Sequence, residues 1–159
     1  MATSGSTNFE PNVTEFVEEA YERCGLELRT GYDLKTAKRS INLMLAEWAN
    51  RGLNQWTIDQ ATQTVTEGTT DYTLNANIID ILDVVVRRTI NSTQTDISMS
   101  RIGRSEYLNI PNKETKSRPS QFFLDKSNIP VLKIWPAPEN STDILLFNKI
   151  VRMDDADTA

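Results

Sequence analysis

The sequence predicts an α+β fold in which an antiparallel helix pair comes first and an antiparallel β-rich region with hairpins follows. Up to Gly52, apolar residues recur every three or four positions, which is the period of an amphipathic helix. Beyond Trp56 the period changes to two and Thr, Val and Ile become frequent, as in strands. With 159 residues, of which 38% are apolar and 25% charged, the chain has the size and composition of one globular domain.

The first helix is predicted to begin at residue 12. Asn12 and Glu15 have the spacing of a capping box, and an apolar stripe then runs from Val13 to Cys24. Gly25 is expected to end this helix. Because Cys24 falls on the apolar stripe, it is expected to be a buried structural thiol.

The second helix is predicted to follow a loop and to end near residue 52. Asp33 is expected to act as its N-cap, a second apolar stripe runs from Leu34 to Trp48, and Gly52 is expected to end the helix. Since neither apolar stripe is stable in water and the connecting loop is short, the two helices are expected to pack against each other.

The β-rich part is predicted to cover about residues 56–153. Asn91 and Ser92 are expected to form the turn of a hairpin, Ser105–Leu108 a helical turn, and Asn109–Arg118 a loop. The predicted strands are Thr57–Thr66, a strand opening with Tyr72 and Leu74, Ile81–Ile90, Thr95–Arg101, Gln121–Asp125, Val131–Trp135 and Ile144–Val151.

Residues 1–11 are predicted to form a flexible N-terminal arm that becomes ordered on a partner. The first nine residues are rich in Ser, Thr, Gly and Asn, show no helical period, and include Phe9 as the one large apolar side chain apart from Met1.

The composition predicts that the chain is not an enzyme and binds no cofactor or metal. There is no histidine, which excludes Ser-His-Asp and Cys-His catalysis and His-ligated zinc. The six glycines form no phosphate-binding loop, and a single cysteine excludes an intrachain disulfide. A carboxylate pair of the kind that glycan hydrolases use is the catalytic alternative, because the chain has 22 acidic residues.

The charge balance disfavours tight binding to nucleic acid. The net charge is −5 and the isoelectric point is near 4.8, whereas proteins that grip DNA release counterions with clustered Lys and Arg. Stacking of bases on Trp48, Trp56 and Trp135 would need interleaved basic residues, so packing in a core or an interface is the favoured role of these side chains. The chain has neither a membrane-spanning segment nor a signal peptide, which predicts a soluble protein made in the cytoplasm.

Two segments carry a distinctive order of residues. In the first, Ala37–Trp56, an Asn-Leu-containing helix ends in a Trp and a Gly turn, and a further Trp follows. In the second, Arg118–Met153, an Arg-Pro pair precedes an aromatic strand, a strand that ends in Trp-Pro-x-Pro, and a last strand that ends near an Arg. In this order the two segments resemble the podovirus portal-to-tail adaptors, the family of packaged-DNA stabilisation proteins and tail tubular protein A. The resemblance covers about Val13–Met153, and the C-terminal helical segment usual in that family has no counterpart in residues 154–159.

This resemblance implies a structural virion protein at the head–tail junction, made in the cytoplasm of the host. Its partners would be the portal, tail or nozzle proteins, and further copies of itself in a ring of typically twelve, with duplex DNA only as passing cargo and no membrane contact. Twelve copies would carry a formal charge of about −60, which repels phosphate from a channel. A β-rich binding or adhesion module is the alternative besides the glycan hydrolase.

Residues 12–159 would then form a single adaptor domain. The residues that the resemblance marks as structural or interface candidates are Asn42, Trp48, Gly52, Trp56, Arg118, Pro119, Trp135 and Pro136.

Overall fold

The computed structural model describes residues 12–53, 57–154 and 156, which fall into two compact units. The helical unit comprises the described residues up to Leu53 together with 153, 154 and 156, and the β unit comprises those from Thr57 to Arg152. The predicted arm, residues 1–11, and Trp56 lie outside the described residues. The assignment of 12–159 to one adaptor domain stays a prediction.

The helical unit begins with the capping box that the sequence predicts. The Asn12 side-chain oxygen accepts a hydrogen bond from the Glu15 amide at 2.9 Å, and the Asn12 amide donates to the Glu15 carboxylate at 3.1 Å. Helix α1 runs over Val13–Arg23 and contacts helix α2, Gly31–Asn50. Gly25 ends the first helix with φ +72°, a conformation that favours glycine.

The second helix begins earlier than the sequence predicts, because Thr30 and not Asp33 is its N-cap. The Thr30 hydroxyl oxygen accepts from the Asp33 amide at 3.3 Å, and the hydroxyl donates to the Asp33 carboxylate at 2.8 Å. Thr and Asp are both good N-caps, so the pattern alone does not choose between them. Asp33 instead lies in the first turn, where its negative charge interacts favourably with the helix dipole.

The prediction of a buried Cys24 is also wrong. Cys24 is the C-cap of α1 and its side chain is exposed. Among the described residues of α1 only Val17 is buried, and α2 has no buried residue, so the predicted apolar stripes are only partly covered.

The β unit contains two four-stranded sheets. Its elements are β1 (Ile58–Thr64), β2 (Asp71–Thr73), β3 (Ile78–Ile90), β4 (Thr93–Ser98), β5 (Ser100–Arg101), α3 (Arg104–Leu108), β6 (Gln121–Asp125), β7 (Val131–Trp135) and β8 (Ile144–Val151). Sheet A has the strand order β1-β8-β3-β4 and is antiparallel throughout, and sheet B has the order β2-β7-β6-β5 with one parallel pair, β5 and β6. The α+β class is therefore confirmed.

The hairpin between β3 and β4 is the one that the sequence predicts. Asn91 and Ser92 have φ values of 47° and 67°, as two-residue hairpin turns require. The predicted single strand Thr95–Arg101, however, is divided between the two sheets. The Met99 amide donates to Val84 of sheet A, and the Ser100 amide donates to Ser120, next to sheet B. A strand that changes sheets at a buried residue closes a corner of the β unit.

The core of the β unit lies between the inner faces of the two sheets. In β6 and β7 every second residue is buried, as expected for strands with one face on a core. The buried apolar side chains include Ile81, Val84, Val86, Leu145 and Phe147 from sheet A and Tyr72, Phe122, Leu124, Leu132 and Ile134 from sheet B.

Candidate interaction surfaces

The structure brings two of the family-like motifs together in the β unit. The Ser117 amide donates to the Ala137 carbonyl at 2.9 Å, and the Ser120 amide donates to the Trp135 carbonyl at 3.0 Å. The Arg118-Pro119 pair therefore lies alongside the segment that begins with Trp135 and Pro136. Pro119 and Pro136 are buried, whereas Arg118 is exposed.

Trp135 is held at the end of β7 by its ring nitrogen. The indole Nε1–H donates to the Asn112 carbonyl at 3.0 Å, which ties the strand end to the loop after α3. The peptide bond to Pro136 is cis. These contacts support a structural role for the Trp-Pro pair, and its assignment as an interface stays a prediction.

Three further candidates lie in the helical unit. The Asn42 side-chain oxygen accepts a hydrogen bond from the Ala156 amide at 2.8 Å, so this residue fixes the chain near its C-terminal end. Trp48 is half-buried, and Gly52 has φ +79° just after α2. Their roles as interface residues stay predictions, and Trp56 lies outside the described residues.

Sequence reasoning missed a buried ion pair in the β unit. Asp143, which is 2% exposed, accepts from the Arg88 Nε at 2.9 Å and from Nη2 at 2.7 Å. The exposed Glu139 accepts a further hydrogen bond from Nη2 at 2.9 Å. The hydrogen bonds that the Arg88 guanidinium donates to Asp143 and Glu139 raise its pKa. No local pattern could reveal this pair, because 55 positions separate its members.

Four other basic residues of the middle hairpin and loop also form ion pairs. The pairs are Arg87 with Asp96 at 2.7 Å, Arg101 with Asp80 at 2.8 Å, Arg104 with Asp125 at 2.6 Å, and Lys116 with Glu67 at 2.7 Å. The Lys113 ammonium donates to the carbonyls of Leu108 and Ile110. Burial raises the pKa of Asp80, but hydrogen bonds from Lys126 and Arg101 outweigh that effect, so its pKa is lowered.

The formal charges of the two units differ. Residues 54–152 contain 11 acidic and 11 basic side chains, so their net charge is zero. The remaining residues contain 11 acidic and 6 basic side chains, which accounts for the whole net charge of −5. The acidic excess therefore belongs to the residues outside the β unit.

The helical unit also exposes large apolar side chains. Tyr32 is 75% exposed, Leu43 is 66% exposed and Phe16 is 58% exposed. These side chains leave apolar surface of the helical unit open to solvent.

The carboxyl groups do not favour hydrolase chemistry. Among the described residues, the carboxyl groups with shifted pKa values are Glu67, Asp80 and Asp96, and each pKa is lowered, whereas a general acid needs a raised one. In the described ranges no three carboxylates or thiols are grouped to hold a metal ion. None of the helices in these ranges has the length and apolar content needed to cross a membrane.

In a comparison with known protein families, the chain matches a family model. The family model described as SU10 adaptor protein matches residues 12–158. No curated protein matches the chain.

Proposed function

We propose that this chain, which belongs to the SU10 adaptor protein family, forms a ring of twelve copies beneath the phage portal, joins it to the tail or nozzle proteins, and lines part of the DNA channel. The family match confirms the resemblance to phage head-to-tail adaptors, so the protein is a structural component of a bacteriophage virion. The observation that carries the proposal is this match, because it covers both units.

The surface of the helical unit supports assembly with other subunits. Helix α2 is 20 residues long, yet the part of the chain that the structure describes leaves none of its residues buried. Its stripe from Leu34 to Trp48 is half-buried, and Leu43 lies exposed on another face. Since burial of apolar surface is the main driving force for association, these residues favour contacts with the portal or with a neighbouring subunit.

The proposal is tested by recruitment to portal rings. The purified chain is mixed with portal rings of the same phage, and the mass of the complex is measured by native mass spectrometry. A mass increase equal to twelve copies is expected. A chain that leaves the portal mass unchanged at micromolar concentration contradicts the proposed function.

Weak affinity for duplex DNA is expected of the assembled ring. The middle hairpin and loop contain seven basic residues: Arg87, Arg88, Arg101, Arg104, Lys113, Lys116 and Arg118. The first four and Lys116 form ion pairs with carboxylates of the same unit, so few are left to neutralise phosphates. We expect a Kd of roughly millimolar order at physiological salt, weaker than the roughly 10⁻⁴–10⁻⁶ M of ordinary non-specific binders. Fluorescence anisotropy with a labelled duplex at two salt concentrations measures it.

The control is a variant in which two basic side chains lose their carboxylate partners. Substitutions Glu67→Gln and Asp96→Asn leave Lys116 and Arg87 without their carboxylate partners, so this variant is expected to bind DNA more tightly and with a steeper salt dependence. If the ring of the parent chain binds duplex DNA with micromolar affinity, and this affinity falls steeply with salt, the channel binds DNA tightly and the expectation is wrong.

A further inference from the structure

Helix α1 carries an acidic stripe away from its buried face. Glu18 and Glu22 are exposed and lie one helical turn apart, about 100° and 140° around the helix from the buried Val17 at 100° per residue. With Glu27, Leu28 and Arg29 they line a groove of about 310 Å³. The groove therefore presents carboxylates on the outer side of the helical unit.

Neither glutamate of the stripe is neutralised within the described part of the chain. Glu19 pairs with Arg23 at 2.7 Å, and Glu27 pairs with Arg29 at 2.9 Å. Glu18 and Glu22 form no ion pair with any described residue, although both line the same groove. The groove is thus left with two negative charges that no cation of the described chain balances.

Helix α2 carries a basic stripe of the same spacing. Lys35 and Arg39 are exposed, lie one turn apart, and form no ion pair with the described residues. Leu43, one turn further along the same line, is 66% exposed. On each helix the two charges are separated by a rise of about 6 Å. The two stripes are therefore equal in length and opposite in sign.

We propose that Glu18 and Glu22 of one subunit bind Lys35 and Arg39 of the next subunit around the ring. This contact is head-to-tail, since each copy contributes its α1 stripe to one neighbour and its α2 stripe to the other, and repeated contacts of this kind close a ring. Leu43 extends the basic stripe and Leu28 lines the acidic groove, which gives the contact an apolar part as well. The proposal rests on the ring of the proposed function and names its subunit interface.

Charge reversal tests this interface. Variant one carries Glu18→Lys and Glu22→Lys, so both of its stripes are positive, and variant two carries Lys35→Glu and Arg39→Glu, so both of its stripes are negative. Each variant alone places like charges against each other in every contact, which is unfavourable. We expect each to assemble on portal rings with at least about tenfold weaker apparent affinity than the parent chain.

An equimolar mixture of the two variants is expected to restore assembly. In an alternating ring each positive stripe faces a negative one, and twelve positions accommodate six copies of each. Native mass spectrometry gives the composition of the ring, and equal numbers of the two variants are expected. A control variant with Asp83→Lys and Glu114→Lys has the same change in net charge as variant one but alters exposed residues of the β unit, and it is expected to assemble like the parent chain.

The outcomes separate this interface from the proposed function. A parent chain that forms no ring on the portal contradicts the proposed function itself. If the parent forms a ring and the two variants assemble equally well, or if the mixture fails to restore assembly, the ring stands and the Glu18/Glu22–Lys35/Arg39 interface is wrong. Thermal melting of each variant is expected to match the parent, because all four positions are exposed.

Discussion

Replacement of Asp143 by alanine is expected to lower the free energy of unfolding of the β unit by about 3–5 kcal/mol. Asp143 is almost fully buried and accepts hydrogen bonds from Arg88, whose side chain is only 18% exposed. Without the Asp143 carboxylate, the Arg88 guanidinium stays largely shielded from water, and the exposed Glu139 is its remaining carboxylate partner. Urea unfolding followed by circular dichroism measures the loss.

Two further variants show whether the unpaired charge of Arg88 causes this loss of stability. Asp96→Ala removes the partner of Arg87, the neighbouring residue, in an exposed pair, and is expected to leave the unfolding curve nearly unchanged. The double substitution Arg88→Met with Asp143→Leu removes both charges, and it is expected to recover most of the stability. A double variant as unstable as Asp143→Ala would show that the loss comes from packing and not from an unpaired charge.

The sequence predicts the strands of the last third best. Gln121–Asp125, Val131–Trp135 and Ile144–Val151 agree with the structure at both ends. Apolar residues are concentrated in each of these strands, and Pro, Asn and Ser interrupt the chain between them, so local signals suffice.

The errors arise where distant contacts decide the local structure. The segment Thr95–Arg101 has strand character throughout, but the division at Met99 depends on which sheet offers a free edge. Cys24 fits the apolar stripe of α1, yet Val17 is the one described residue of that stripe that is buried. A helical period shows which face is apolar, and it does not show how much of that face the partner helix covers.

The candidate surfaces are predicted in part for the same reason. The Arg118-Pro119 and Trp135-Pro136 pairs are visible in the sequence, but their side-by-side placement depends on the pairing of segments that surround β6 and β7. The sequence shows Glu18 and Glu22 only as part of a charged helix. Their significance follows from the structure, which shows that no described cation neutralises them.

Replacement of Phe122 by alanine is expected to destabilise the β unit by about 3–5 kcal/mol, because it leaves a cavity between the two sheets. Phe122 is 1% exposed and points into the core, whereas Phe123, its neighbour on β6, is half-buried on the opposite face. The Phe123 ring stacks on Tyr107 at 5.6 Å and is partly open to solvent, so Phe123→Ala is expected to cost about 1–2 kcal/mol.

The comparison of these two adjacent positions tests which face of sheet B packs on the core. Both variants remove the same side chain from the same strand, so strand propensity and loss of apolar volume are matched between them. Urea unfolding of the two proteins under identical conditions gives the difference in free energy directly. Equal losses, or a larger loss for Phe123→Ala, would mean that the outer face of sheet B is also buried, as it would be if another subunit covered it in solution.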